Sequence, residues 1–215
     1  MSLKSEIQGF DISGKSAAII GCGGLGTNVS VHLAGAGIGS LLLVDFDVVE
    51  KRNLNRQFMF TAEDKGREKC DILAARLAAY APECEIKTRQ KKIEKTTDLA
   101  DALEYDIIIA ALDNIRARKT INDACKLSKK PCINGSINGF FGLAYLYVPG
   151  ETPDFEAAGL LNESSVKNLS PSVTAGITGA LEAKLAIDYF LNDKSSQGVL
   201  LCYDGITIQT LKIKE

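Results

Sequence analysis

Two hydrophobic rhythms divide the chain. Through residue 134, short unbroken apolar runs alternate with stretches of helical spacing. The run at 16–21 (SAAIIG) ends in glycines and predicts a buried strand entering a tight turn, and 39–45 (GSLLLVD) predicts a second. Between them, Val29, Leu33 and Ala36 recur at helical spacing over 27–37, with Thr27 available as a cap. A helix is predicted over 66–80 through Ile72, Leu73, Leu77 and Tyr80, with Pro82 beyond its end. A weakly alternating strand follows at 85–89, then a short helix at 98–103 and a continuous buried strand at 105–112 (YDIIIAAL). A helix over 114–126 and a short strand at 131–134 complete this part.

The last third reads differently. Residues 142–148 (GLAYLYV) alternate as a half-buried strand does, and 151–170 is polar and irregular, long enough for a mobile crossover. A helix over 172–191 starts after Pro171 and carries Ile177, Leu181, Leu185 and Tyr189 along one face. Two strands at 199–203 and 207–214 then form a hairpin around Asp204 and Gly205. The pattern predicts an α/β fold: a Rossmann-like doubly wound sheet, mostly parallel in the first two-thirds, with an antiparallel C-terminal extension. All 215 residues form one domain in this reading, with residues 1–15 an N-terminal arm and 151–170 the crossover loop.

Composition narrows the function classes. The chain is 46% hydrophobic and 24% charged with 5 Pro, which excludes disordered, collagen-like and disulfide-scaffold proteins. Lys plus Arg number 25 against 27 Asp plus Glu, so no polyanion-binding footprint exists and nucleic acid is a poor default partner. No apolar run reaches the ~18 residues of a membrane span, and no signal core is present. Six cysteines stand at 22, 70, 84, 125, 132 and 202 without one C-x-x-C pair, so a zinc ribbon is not expected. They are expected to be reduced core thiols in a cytoplasm.

The candidate chemistry gathers behind the first two strands. GCGGLG at 21–26 fits G-x-G-x-x-G between a strand and a helix, where glycines let the backbone approach a phosphate. Asp45 closes the next strand, where a carboxylate can bind ribose hydroxyls. Those features alone also fit an NAD-dependent oxidoreductase. The polar stretch that follows, DFDVVEKRNLNRQ at 45–57, discriminates against it: Asn53, Arg56 and Gln57 make sense if further phosphates must be clamped. Lys69 brings a point charge to the same place. Asp47 and Glu50 either touch the nucleotide or solvate the loop. His32, the one histidine, is read as a packed or edge residue, and KLSKK at 126–130 as a solvated helix end.

These residues carry a resemblance. GCGGLG at 21–26, DFD at 45–47, NLNRQ at 53–57 and the Gly66–Lys69 spacing resemble the adenylation domain of the ThiF/MoeB/HesA family, bacterial relatives of ubiquitin-activating enzymes. Asp113 and Asn114, followed by Arg118 and Asn122, resemble its next motif. Pro171 with Gly176, Gly179 and Glu182 resembles its late helix, and CYD at 202–204 its closing strand. The similarity runs from about residue 15 to the C-terminus.

The resemblance implies an adenylyltransferase, in which ATP and the C-terminal carboxylate of a small ubiquitin-like sulfur carrier ending Gly-Gly give an acyl-adenylate and pyrophosphate, serving cofactor or sulfur-transfer biosynthesis. By motif, Gly21, Gly23, Gly24 and Gly26 would line the nucleotide and Asp45 would hold the ribose. Asp47, Asn53, Gln57 and Asn114 would join the binding site. Arg56 and Lys69 would act on the phosphates as catalytic cations, and Asp113 would help hold Mg²⁺. A homodimer is implied as well. The chain departs from the family in lacking the paired C-x-x-C motifs of its zinc-containing members and any cysteine within 151–170, so adenylation without a thioester step is expected. Lys4 is the one basic residue in the first fourteen, where relatives carry an arginine that completes the partner subunit's site. Competing acceptors are a tRNA-borne or peptide carboxylate, and a non-catalytic carrier-binding domain is the reading of another class.

Overall fold

The computed structural model describes residues 10–162 and 169–213, so Lys4 and the end of the N-terminal arm lie outside the described residues, as does the middle of the crossover. The predicted buried runs form β1 (Ser16–Ile20), β2 (Ser40–Asp45) and β4 (Ile107–Ala110), with β3 (Glu85–Gln90) and β5 (Cys132–Asn138) beside them. These five are parallel. Then β6 (Phe141–Tyr147), β7 (Val199–Tyr203) and β8 (Ile208–Lys212) continue the sheet antiparallel. The order is β3-β2-β1-β4-β5-β6-β7-β8. The chain steps outward from β1 to β3, then returns to the other side of β1, and this reversal opens a crevice above the carboxyl ends of β1 and β4.

Both sheet faces are covered, which explains the unbroken apolar runs. Ala17 and Ile19 point into a layer with α1 (Gly24–Gly35), α2 (Lys69–Tyr80) and α4 (Ser172–Phe190). Ala18 and Ile20 point the other way, toward α3 (Ile115–Ser128). The six cysteines are free, buried thiols distributed over both layers and their edges.

Several expected boundaries move. Helix α1 begins at Gly24 with Gly23 as its cap residue, so Thr27 is not the cap; its hydroxyl instead donates to the Cys22 carbonyl. Helix α2 starts at Lys69, because Gly66 at φ +84° serves a turn before it. Residues 98–103 are not one helix but parts of two 3₁₀ turns, Thr96–Leu99 and Ala102–Glu104. Strand β5 runs four residues past its predicted end, through a polar segment held by antiparallel pairing to β6.

The crossover is anchored where it starts. Phe155 is fully buried, with Tyr145 and Tyr147 edge-on to its ring at 6.5 and 6.4 Å. The Phe155 amide donates to Asn122 Oδ1 at 2.8 Å, and Lys126 Nζ reaches Asp154 at 2.6 Å. An apolar ring and a half-buried ion pair thus fix residues 152–155, which the polar composition of the segment concealed.

Candidate active site

A cleft of about 910 Å³ opens at the switch point, lined by the loops after β1, β2 and β4, by the end of β5 and by the crossover. Its floor is the glycine turn. Gly21 adopts φ +103°, and a Cβ there would lie 2.5 Å from the Ala111 carbonyl. Gly23 and Gly24 line the cleft where α1 begins, and no side chain caps that helix. Its first N–H groups therefore face the cleft as oriented donors. Gly26 does not line the cleft. A Cβ on it would run into the Gly21 carbonyl, so its role is to let helix and strand pack closely.

Asp45, at the end of β2, is nearly buried, and both its oxygens accept backbone N–H groups: Cys22 at 2.6 Å and Asp47 at 2.8 Å. It welds the glycine turn to the following loop and still presents lone pairs to the cleft. Burial pushes its carboxyl above the usual range, against the pull of those N–H groups and of Lys69.

The loop beyond β2 folds back through a 3₁₀ turn, Lys51–Asn53, in which Asn53 Oδ1 accepts the Glu50 amide at 3.1 Å. This brings Arg56 and Gln57 over α1. Arg56 Nη1 donates to Asn55 Oδ1 at 3.0 Å, and among the described residues no carboxylate pairs with it. Gln57 is buried, and its Oε1 has no hydrogen-bond partner among them. Lys69 opens α2 with its stem buried, and its ammonium meets Asp47 at 2.9 Å. Asp47 thus holds the lysine in place. Across the cleft, Asp113 is exposed to it and pairs with no cation among the described residues. Asn114 uses Oδ1 to cap α3, accepting the Ala117 amide at 3.2 Å.

Eleven of the twelve predicted site residues therefore line one cleft, with Gly26 behind it. Others were missed. Lys91 and Lys92 stand on the rim just past β3, with Lys92 Nζ 5.9 Å from the Phe46 ring. The signal for them was their place at the carboxyl end of a strand, weakened by the strand's poor alternation. Ser136 and Asn138 line the cleft because β5 is longer than predicted.

Beneath the cleft lies a buried polar group. Arg118 Nε and Nη2 both donate to the Leu112 carbonyl, at 2.8 and 2.5 Å. On α4, Thr174, Thr178 and Glu182 face the sheet, fully buried, and their oxygens have no partners among the described residues. They fit only because Gly135 and Gly142 carry no Cβ, which would clash with Glu182 and Thr178. Burial drives the Glu182 carboxyl well above its ordinary range, partly opposed by Arg118.

A model of the ThiF family matches residues 9–215. The chain belongs to the ThiF family. Among its ThiF-family relatives, the sulfur carrier protein ThiS adenylyltransferase of Escherichia coli K12 is 34% identical over 197 residues, 89% of this chain and 78% of that protein. The adenylyltransferase and sulfurtransferase MOCS3 of Dictyostelium discoideum is 33% identical over 95% of this chain. The chain spans only 51% of that relative's length. Among solved structures, E. coli MccB with ATP matches with a TM-score of 0.85 and 27% identity, over 95% of this chain and 65% of that one. The doubly wound sheet with its antiparallel extension is the fold read from the sequence, and the named relatives are adenylyltransferases.

Proposed function

We propose that this chain adenylates the C-terminal carboxylate of a small ubiquitin-like sulfur carrier with ATP, releasing pyrophosphate. The observation that carries this reading is the convergence in one cleft of the uncapped α1 N-terminus, Arg56 with no carboxylate partner and Asp113 with no cation partner among the described residues. Free donors and a cation await an anion, and a free carboxylate awaits a cation. A polyphosphate with Mg²⁺ satisfies both.

In the reaction a carboxylate oxygen of the carrier attacks the α-phosphorus. A P–O bond forms, the bond to the β-phosphate oxygen breaks, and pyrophosphate leaves with the electron pair. An ionised carboxylate needs no general base. Negative charge grows on the α-phosphate oxygens, and the α1 N–H groups, Arg56 and Lys69 are placed to stabilise it. Lys69 is already oriented by Asp47, so little reorganisation is needed. Asp45 would hold the ribose, and Asn53 and the Gln57 amide would join Arg56 and Lys69 at the phosphates. The residues suit Mg²⁺: Asp113 offers a hard oxygen open to the cleft and would hold the ion together with phosphate oxygens and waters. When bound, Mg²⁺ would neutralise the pyrophosphate leaving group.

The names of the relatives support the carrier as acceptor, and family membership supports a homodimer. The six free thiols suit a reducing cytoplasm. Mass spectrometry tests the reading: carriers ending Gly-Gly are incubated with MgATP and the full chain, and an AMP adduct on a carrier C-terminus is expected. A second acceptor class is a peptide carboxylate; the chain also matches MccB solved with AMPCPP and MccA, at a TM-score of 0.85. An adduct on peptide acceptors alone would replace the carrier. Carrier activation that survives Arg56→Ala and Asp113→Ala together would instead favour a non-catalytic role for the cleft.

A further inference from the structure

Arg118 has an unusual placement for a charged residue outside the proposed phosphate-binding set. It lies on α3, only 4% exposed, at the bottom of the cleft. Among the described residues its planar fork meets a single acceptor, the Leu112 carbonyl, through Nε and Nη2. Carboxylates act on it from two directions, Glu182 from α4 and Asp113 from the turn above, yet neither closes an ion pair with it among the described residues. Burying a guanidinium is costly, and a lone carbonyl hydrogen bond is a small return for it.

The return becomes clear from what stands next in the chain. Leu112 is fixed through its carbonyl by Arg118, and Asn114 is fixed through its side chain as the cap of α3. Asp113 lies between them, with its backbone pinned on both sides and its own carboxylate exposed to the cleft. A rigid backbone carrying an unpaired carboxylate is the construction that a metal-facing ligand requires.

We propose that Arg118 is a positioning residue that aims the Asp113 carboxylate at the metal-bound phosphates by clamping the Leu112 carbonyl. This rests on the reading of the cleft as a MgATP site. It assigns a function to a residue outside the proposed phosphate-binding set.

Calorimetry of ATP binding to the full chain, in excess Mg²⁺ and in a chelator, tests it with wild type, Arg118→Gln, Arg118→Lys, Asp113→Asn and the double variant R118Q/D113N. In Mg²⁺, Arg118→Gln should lose about 10- to 100-fold in affinity, as loss of a group that orients a metal ligand does. In chelator its affinity should match wild type. Asp113→Asn should show the same Mg²⁺-specific loss, and the double variant should lose no more than either single one. Arg118→Lys should recover little, because an ammonium on a flexible stem cannot hold one oxygen with the two fixed, converging N–H groups of a planar fork. A merely structural role predicts equal loss with and without Mg²⁺, or losses that add in the double variant; either result overturns the proposal. If thermal melting shows that Arg118→Gln does not fold, Arg118→Lys decides: a folded lysine variant with full Mg²⁺ dependence overturns it, and one that has lost that dependence supports it. A wild type that binds no ATP overturns the nucleotide reading itself and this proposal with it, an outcome separate from the others.

Discussion

Two glycines three residues apart illustrate how one motif divides its work. Gly23 faces the cleft, and a Cβ added there would meet nothing nearer than Gln57 Nε2 at 3.6 Å. Gly26 lies against the backbone of Gly21, which cannot yield without disturbing the whole turn. Gly26→Ala should therefore destabilise the protein by about 1–3 kcal/mol or more, as overpacking does. Gly23→Ala should cost no more than about 1 kcal/mol, the usual penalty of alanine at a helix cap. Urea unfolding of the two variants checks this, and equal costs would contradict the division. For Lys69→Ala, loss of a cation from the reacting phosphate should slow adenylation by about 10²–10³-fold. Pyrophosphate exchange measures it, and a loss below tenfold would remove Lys69 from the transition state. These residues were legible in the sequence because glycines, amides and cations beside a strand end have few other uses. What could not be read was which glycine faces the cleft and which faces protein, since that depends on how the turn folds Gly26 back onto the Gly21 carbonyl.

At the scale of the element, α4 shows where periodicity misleads. Of the predicted stripe Leu185 is fully buried, while Ile177, Leu181 and Tyr189 are only half-buried. Thr174, Thr178 and Glu182 are fully buried as well, with Gly179 pressed so closely on α1 that a Cβ would stand 2.5 Å from that of Asn28. Periodicity gives these small and polar residues no buried role, because a buried glutamate is rare and costly. Here the two strand glycines, Gly135 and Gly142, make the room, and no signal within the helix reveals them. The buried carboxyl carries a pH signature. Its folded pKa is raised by burial above the unfolded value of about 4.3, so the native state binds more protons than the unfolded chain. Stability from this group is greatest below that unfolded pKa and falls as pH rises toward the folded one. Glu182→Gln removes the proton without removing the shape. Its stability relative to wild type should improve between about pH 4 and 8, by at most about 1.4 kcal/mol per pH unit. Chemical denaturation across that range reads it, and a difference independent of pH would show that Glu182 is ionised in the folded protein.

For the whole molecule, the consequence lies in where the cleft draws its walls. The loops after β1, β2 and β4, the end of β5 and the crossover all contribute, so a ligand seated there touches both halves of the doubly wound sheet. The parallel order and its antiparallel extension were legible because buried parallel strands have an unbroken apolar signature. The anchored start of the crossover was not, because one phenylalanine in a polar segment does not announce that two tyrosines await it. A ligand that binds only the assembled cleft stabilises the fold by mass action. At a free concentration of 100 times Kd, MgATP should add about 2.7 kcal/mol. In a chain of this size each kcal/mol moves the melting temperature by about 2–4 °C, so the midpoint should rise by about 5–10 °C. Arg56→Ala should abolish most of that shift at the same ATP concentration while leaving the ligand-free midpoint near that of wild type, because Arg56 makes no ion pair among the described residues and only two weak local hydrogen bonds. NADH should produce no shift. Scanning calorimetry distinguishes the cases: a shift with NADH and none with MgATP would mean that the glycine turn and Asp45 serve a dinucleotide, leaving Arg56 and Lys69 with no phosphate to hold.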